Sequence, residues 1–252
     1  MIRVETALLP WCGPGKWTQV ILANWPVKEF SACNEGDSLV TMADMFSLAR
    51  LFGKEDRFFA LLEASAEEAR HSVQAMVTLS KAAGQPGSLE AFAASRRADK
   101  KITQEISEAL TTTFVTSLER EDIEALSNAL YKIPKTTEKF AERLNLAPDQ
   151  VQGLDFSRQT ALIELAVETL VTMVRGLRRP DLEQVKSLNQ RLQQLEGDAD
   201  KAVLELLRDV YQGKHPPHKT LLLKDLYELL ERVIDRVRDA GNVVTHIVLK
   251  NS

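Results

Sequence analysis

Two Glu-x-x-x-Asp pairs, Glu196/Asp200 and Glu231/Asp235, stand one helix apart in the second half of this 252-residue chain, and Asp239 extends the second row by another turn. On a helix, residues four apart share one face, so each pair presents two carboxylates side by side, and their repulsion costs a few tenths of a kcal/mol. A cation held by oxygen ligands would offset that cost. Spacing alone does not decide the matter, because Glu138/Glu142 and Glu164/Glu168 repeat it and the chain holds 36 acids. A solvated acidic face has the same pattern. What separates the two readings is where the acids lie relative to the apolar stripe of each helix.

The elements that must carry these residues are helical throughout, with breaks where Gly and Pro cluster. The spacing predicts a first helix from about Glu55 to Ala83, with Phe58, Phe59, Leu62, Val73, Met76 and Val77 inward, stopped by Gly84-Gln85-Pro86-Gly87. A second runs from about Ser88 to Thr116, and a third begins near Arg120, with a kink expected at Pro134. Leu146 to Gly153 reads as a turn, after which Asp155 can cap a fourth helix reaching Gly176. Pro180-Asp181 opens a fifth with a long apolar seam from Val185 to Val210, the polar turn Gln212 to His218 closes it, and Leu221 to about Leu249 forms a sixth. No period-two strand pattern occurs. Six helices of this length predict an all-α, elongated bundle.

At 100° per residue, Leu226, Leu230, Val233, Val237, Ala240 and Val244 form one stripe of the sixth helix, and Glu228, Glu231, Asp235 and Asp239 fall away from it. Glu196 and Asp200 border the seam of the fifth helix, where a neighbour would pack. Antiparallel packing of the two helices would bring both pairs together. His246, and the histidines flanking Pro216-Pro217, read as polar surface residues.

Composition bounds the function classes. No apolar run approaches the length of a membrane span, and the N-terminus carries no continuous apolar stretch of signal-peptide type, so the cytoplasm is the expected compartment. Net charge is -4 with acids and bases interspersed, which disfavours nucleic acid as a partner. Both cysteines and all three tryptophans precede residue 44. Residues 1–44 read as a poorly structured extension, with a start at Met42 or Met45 as the alternative, and residues 45–252 carry the fold.

The halves look like repeats. Ala98-Asp99-Lys100 recurs as Ala199-Asp200-Lys201, and Asp122-Ile123-x-x-Leu126 resembles Asp225-Leu226-x-x-Leu229, so repeat one is placed at about 54–145 and repeat two at about 155–250. The stretches Leu51-Phe52-Gly53-Lys54-Glu55-Asp56-Arg57-Phe58-Phe59, Arg120-Glu121-Asp122-Ile123, Leu195-Glu196-Gly197-Asp198-Ala199-Asp200 and Asp225 to Arg236 resemble the PhoU-like family of phosphate-transport regulators, in particular its short bacterial branch often encoded beside Pit-type phosphate transporters. The resemblance covers about Met45 to Ser252.

The resemblance implies a six-helix bundle of two tandem three-helix repeats, a regulatory rather than catalytic role, and a surface site for iron or another divalent or trivalent metal. By position that site falls on Glu196, Asp200, Glu231, Asp235 and Asp239. In repeat one the matching places read as Ser95, Asp99, Tyr131 and Lys135, a degenerate set in which a lysine repels a metal. The implied partner is a Pit-type phosphate transporter at its cytoplasmic face, and the oligomeric state is left open. Two other readings stand beside this one. A carboxylate-bridged di-metal enzyme would use two Glu-x-x-His motifs on two helices, and the chain holds a single one, Glu68-Ala69-Arg70-His71. A metal-free helical scaffold would need the acids only for solubility.

Overall fold

A computed structural model describes residues 42–251, and over 42–56 the backbone alone. Seven helices occur among the described residues: α1 (Met42–Lys81), α2 (Glu90–Thr112), α3 (Arg120–Leu146), α4 (Pro148–Val151), α5 (Ser157–Gly176), α6 (Leu182–Val210) and α7 (Pro217–Lys250). The six long ones answer to the six expected from periodicity. The turn expected at 146–153 holds the single-turn α4, which Pro148 opens with a fixed φ and no N–H to satisfy. Pro217 does the same for α7 and starts it ahead of Leu221. The backbone of α1 begins at Met42 rather than near Glu55, and the expectation for residues up to 41 lies outside the described residues.

Local chemistry sets the ends. The Asp181 carboxylate accepts from the N–H groups of Glu183 (3.0 Å) and Gln184 (3.1 Å), two donors that the first turn of α6 leaves unpaired. Asp155 accepts from the Ser157 N–H at 2.9 Å, one residue ahead of the Phe156 cap position. After α1 the chain turns at Gly84, whose φ of 97° disfavours any side chain and whose Cβ would meet Gln152 Cα at 2.8 Å. Pro134 lies buried inside α3, which continues through it.

The helices pack as two three-helix units, α1–α3 and α5–α7. Across the units α1 lies on α5 and α3 on α7, while α1–α3 and α5–α7 close a four-helix centre. The second helix of each unit sits outside that centre, α2 against α1 and α3, α6 against α5 and α7. Phe156, from the link between units, packs edge-on to Phe140 of α3 at 5.9 Å and against Tyr227 of α7 at 6.1 Å. Ion pairs then join the units at the surface: Arg175 to Glu67 (2.6 Å), Arg178 to Glu63 (2.5 Å) and Lys250 to Asp122 (3.0 Å).

Burial fixes the register of the repeat. Ile123, Leu126, Leu130, Ile133, Thr137, Ala141 and Leu144 of α3 match Leu223, Leu226, Leu230, Val233, Val237, Gly241 and Val244 of α7, an offset of 100 with every position buried. Phe92, Asp99 and Leu110 of α2 match Leu192, Ala199 and Val210 of α6 at the same offset. Phe58, Leu62, Ala69 and Val73 match Gln159, Ile163, Leu170 and Val174 at 101. The Ala-Asp-Lys triplets, at an offset of 101 on α2 and α6, are therefore not in equivalent places: Asp99 is a core residue and Asp200 is exposed.

Candidate functional site

The α6–α7 groove gathers the acids that the sequence singled out. Glu196 and Asp200 come from α6, Glu231, Asp235 and Asp239 from α7, and the two helices pack along their length. Close approach is possible because Gly241 presents no side chain. A Cβ there would stand 2.3 Å from Leu192 Cδ1 of α6, so the leucine fills the space that a methyl group would need.

The acids sense one another. Asp235 is half-buried, and its carboxyl is pushed up to about 6 by burial first, then by Glu231, Asp200, Glu196 and Asp239 in turn. Burial also raises Glu231, followed by repulsion from Asp200 and Glu228, with Arg232 opposing. Thus the apolar stripe of α7 does turn away from the acids, as periodicity predicts, but Glu231 and Asp235 border α6 rather than open solvent.

One cation answers this cluster from inside. Arg238, with only 12% of its side chain exposed, donates from Nε to Glu196 Oε2 at 3.2 Å and from Nη1 to the Oδ1 atoms of Asn189 and Asn242, both at 2.7 Å. Arg236 pairs with Asp239 at 2.8 Å. Asp200, Glu231 and Asp235 keep no ion-pair partner among the described residues. The donor set has the chemistry a hard cation takes, oxygen ligands carrying excess negative charge. As the side chains stand, no three His, Cys, Asp or Glu among the described residues gather closely enough to hold an ion, so binding would require the carboxylates to turn toward one point.

Arg238 escaped the sequence reading. Its signal is legible only at an offset of 100, where Arg96 faces Glu196 and Glu138 faces Arg238. In repeat one Arg96 of α2 ion-pairs with Glu138 of α3 and lies against Tyr131. In the same register Asp200, Glu231, Asp235 and Asp239 correspond to Lys100, Tyr131, Lys135 and Lys139. The expected match of the first acids with Ser95 and Asp99 is thereby corrected. Both lie buried on α2, and Asp99 accepts from the Ser65 hydroxyl at 2.6 Å.

No family model matches the chain. Two proteins share 24% identity with it: the UPF0111 protein YkaA of Bacillus subtilis, over 55% of this chain and 68% of that one, and the "Putative pit accessory protein" of Rhizobium meliloti, over 80% of this chain and 97% of that one. Among solved structures, a PhoU-like protein from Shewanella oneidensis superposes with a TM-score of 0.63 at 16% identity, covering 77% of this chain and 99% of its own. PhoU from Pseudomonas aeruginosa superposes with a TM-score of 0.52 at 15% identity, covering 82% and 99%. Helix order, the paired three-helix units and these superpositions agree: the chain has the PhoU-like fold.

Proposed function

We propose that this chain is a cytoplasmic, non-catalytic regulator of inorganic phosphate uptake that acts on a Pit-type phosphate transporter, and that its α6–α7 groove takes up a divalent or trivalent cation. The observation that carries the reading is the likeness to the Rhizobium meliloti protein, which extends over 97% of that protein and joins the name to a whole bundle rather than to one motif. The PhoU-like fold supports it. Among the described residues no helix is long and apolar enough to cross a membrane, so action on a transporter means docking against it.

The groove supports the cation part by its charge. Asp200, Glu231 and Asp235 stand unpaired beside one another, and Arg238 compensates only one of the neighbouring acids. A bound cation would supply positive charge that offsets their repulsion and ties α6 to α7. Asp235 and Glu231 from α7 with Asp200 from α6 would hold it. Glu196 would join only by leaving Arg238. Acids at the lip of a groove suit a docking surface better than buried chemistry, which needs an enclosed, largely apolar pocket.

Deleting the gene and measuring phosphate accumulation and arsenate resistance tests the regulatory reading. Altered uptake is expected, together with co-purification of a Pit-type transporter with the tagged chain. Unchanged uptake and no transporter recovered would sink it in favour of the scaffold reading. Elemental analysis of protein purified without chelator tests the cation separately.

A further inference from the structure

Where α3 lies against α7, a groove of about 320 Å³ is lined by Lys132, Lys135, Thr136, Lys139, Arg232 and Arg236. Five of the six are cations and none is an acid, in a chain whose net charge is -4. Arg236 is pinned by Asp239, but Lys132, Lys135, Lys139 and Arg232 have no carboxylate within ion-pair distance among the described residues. Thr136 is buried and spends its hydroxyl on the Lys132 carbonyl at 2.7 Å, so it forms floor rather than a ligand contact. Crowding unpaired cations costs free energy that an anion would return.

The dimensions choose among anions. Lys132, Lys135 and Lys139 climb one face of α3 over about 10 Å at 1.5 Å per residue, while Arg232 and Arg236 line the facing wall of α7, one turn apart. A row of that length exceeds a lone orthophosphate, and an elongated anion can follow it along both walls. Lysines serve such a ligand as flexible point charges, and the arginine forks add paired hydrogen bonds to phosphate oxygens. The adjoining hollow shares Lys139 and Arg232 and adds Arg143, but Glu142, Asp225 and Glu228 line it too, so an anion is favoured more in the stretch that holds no acid. We propose that the α3–α7 groove binds an oligophosphate, a short chain of linked phosphates, independently of any cation on α6–α7.

The test is calorimetric titration of the full chain with tripolyphosphate, orthophosphate and phosphatidylglycerol vesicles, at low salt and without added divalent metal. Tripolyphosphate should bind roughly tenfold or more tightly than orthophosphate. The triple variant Lys132→Gln, Lys135→Gln, Lys139→Gln should lose at least roughly tenfold in affinity, the loss expected for removing even one charged hydrogen bond. The charge-matched control Lys186→Gln, Lys201→Gln, Lys214→Gln, on and just after α6, should keep wild-type affinity. All six lysines are exposed, and helical circular dichroism checks that both triples fold. Equal weakening by the two triples would reduce the effect to bulk charge. Equal affinity for orthophosphate, binding to vesicles alone, or no binding at all would each overturn the proposal.

Discussion

The α2–α3 groove of repeat one and the α6–α7 groove of repeat two occupy the same place in their units and carry opposite charge. One ion pair crosses each groove, with its partners exchanged: Arg96 of α2 meets Glu138 of α3, and Glu196 of α6 meets Arg238 of α7. Around that pair, Lys100, Lys135 and Lys139 stand where Asp200, Asp235 and Asp239 stand in the other unit. The fold therefore fixes a cross-helix pair without fixing its polarity, and leaves the surrounding charge free to diverge. One unit is left with an excess of carboxylate, the other with an excess of ammonium. Lys135 and Lys139, so placed, also line the α3–α7 groove, whose other cations are Lys132 and, from α7, Arg232 and Arg236.

The sharpest difference between the units lies beneath the grooves, where Asp99 occupies the core position that Ala199 fills in repeat two. Burial pushes its carboxyl up to about 7 against the opposing Ser65 hydrogen bond, with Glu68 adding repulsion, and its second oxygen has no partner. The sign follows from linkage. The folded state keeps a proton that the unfolded chain releases near pH 4, so stability falls as pH rises from there through about 7. The full effect is at most roughly 4 kcal/mol. Asp99→Asn should remove this slope and be the steadier protein at pH 8. Denaturant titrations of both proteins at pH 5 and pH 8 check it, and parallel pH dependence would show that Asp99 does not titrate in this range.

Next in size is the exchanged ion pair. Arg238→Ala strands Glu196 and two asparagine oxygens in a partly closed, acidic groove, and should cost about 3 kcal/mol. Arg96→Ala removes a side chain 42% exposed and should cost about 1 kcal/mol or less. Since repeat one already uses the reverse polarity, Glu196→Arg combined with Arg238→Glu should recover most of the loss from either single change. A double-mutant cycle reads this directly. Additive losses would mean that the two pairs are not equivalent.

A smaller asymmetry concerns helix approach. Gly241 of α7 matches Ala141 of α3, and both are buried. At Gly241 a leucine from the neighbouring helix fills the methyl position that Ala141 occupies with its own side chain. Gly241→Ala should therefore destabilise by roughly 1–3 kcal/mol through overpacking against Leu192, despite the better helix propensity of alanine. Leu192→Ala in the same chain should make the alanine tolerable, and a thermal melt of the three variants tests the pairing.

Much of this architecture was legible in the residues, for physical reasons that also mark where legibility stops. Apolar periodicity found the long helices and the stripe of α7, because burial in a bundle is set by phase around each axis. Gly84, Pro148 and the Asp181 cap carry their own backbone chemistry and marked the breaks. The repeat register did not follow from matching triplets: Ala98-Asp99-Lys100 and Ala199-Asp200-Lys201 are alike in type but differ by one position in phase, which turns one aspartate inward and the other outward. Arg238 was invisible for a related reason. A search for like-charged ligands passes over the opposite charge that lies among them, and only the exchange with Glu138 makes its role evident.

The finest test of the contrast is the removal of charge from one groove. Glu231→Gln with Asp235→Asn deletes two acids whose ionisation burial and mutual repulsion already disfavour. The apo protein should become steadier by a few tenths of a kcal/mol up to about 1 kcal/mol, since the relieved repulsion is partly screened by solvent. If the groove takes a cation, the same variant should purify without it, while Lys100→Gln with Lys135→Gln, at the repeat-one places that match Asp200 and Asp235, should leave metal content unchanged. Thermal melts with and without chelator separate the two effects: chelator should lower the wild-type midpoint and leave the double variant where it is. Were chelator to shift both proteins alike, the cation would lie elsewhere, and the excess carboxylate of α6–α7 would be a repulsive surface with no ligand to explain it.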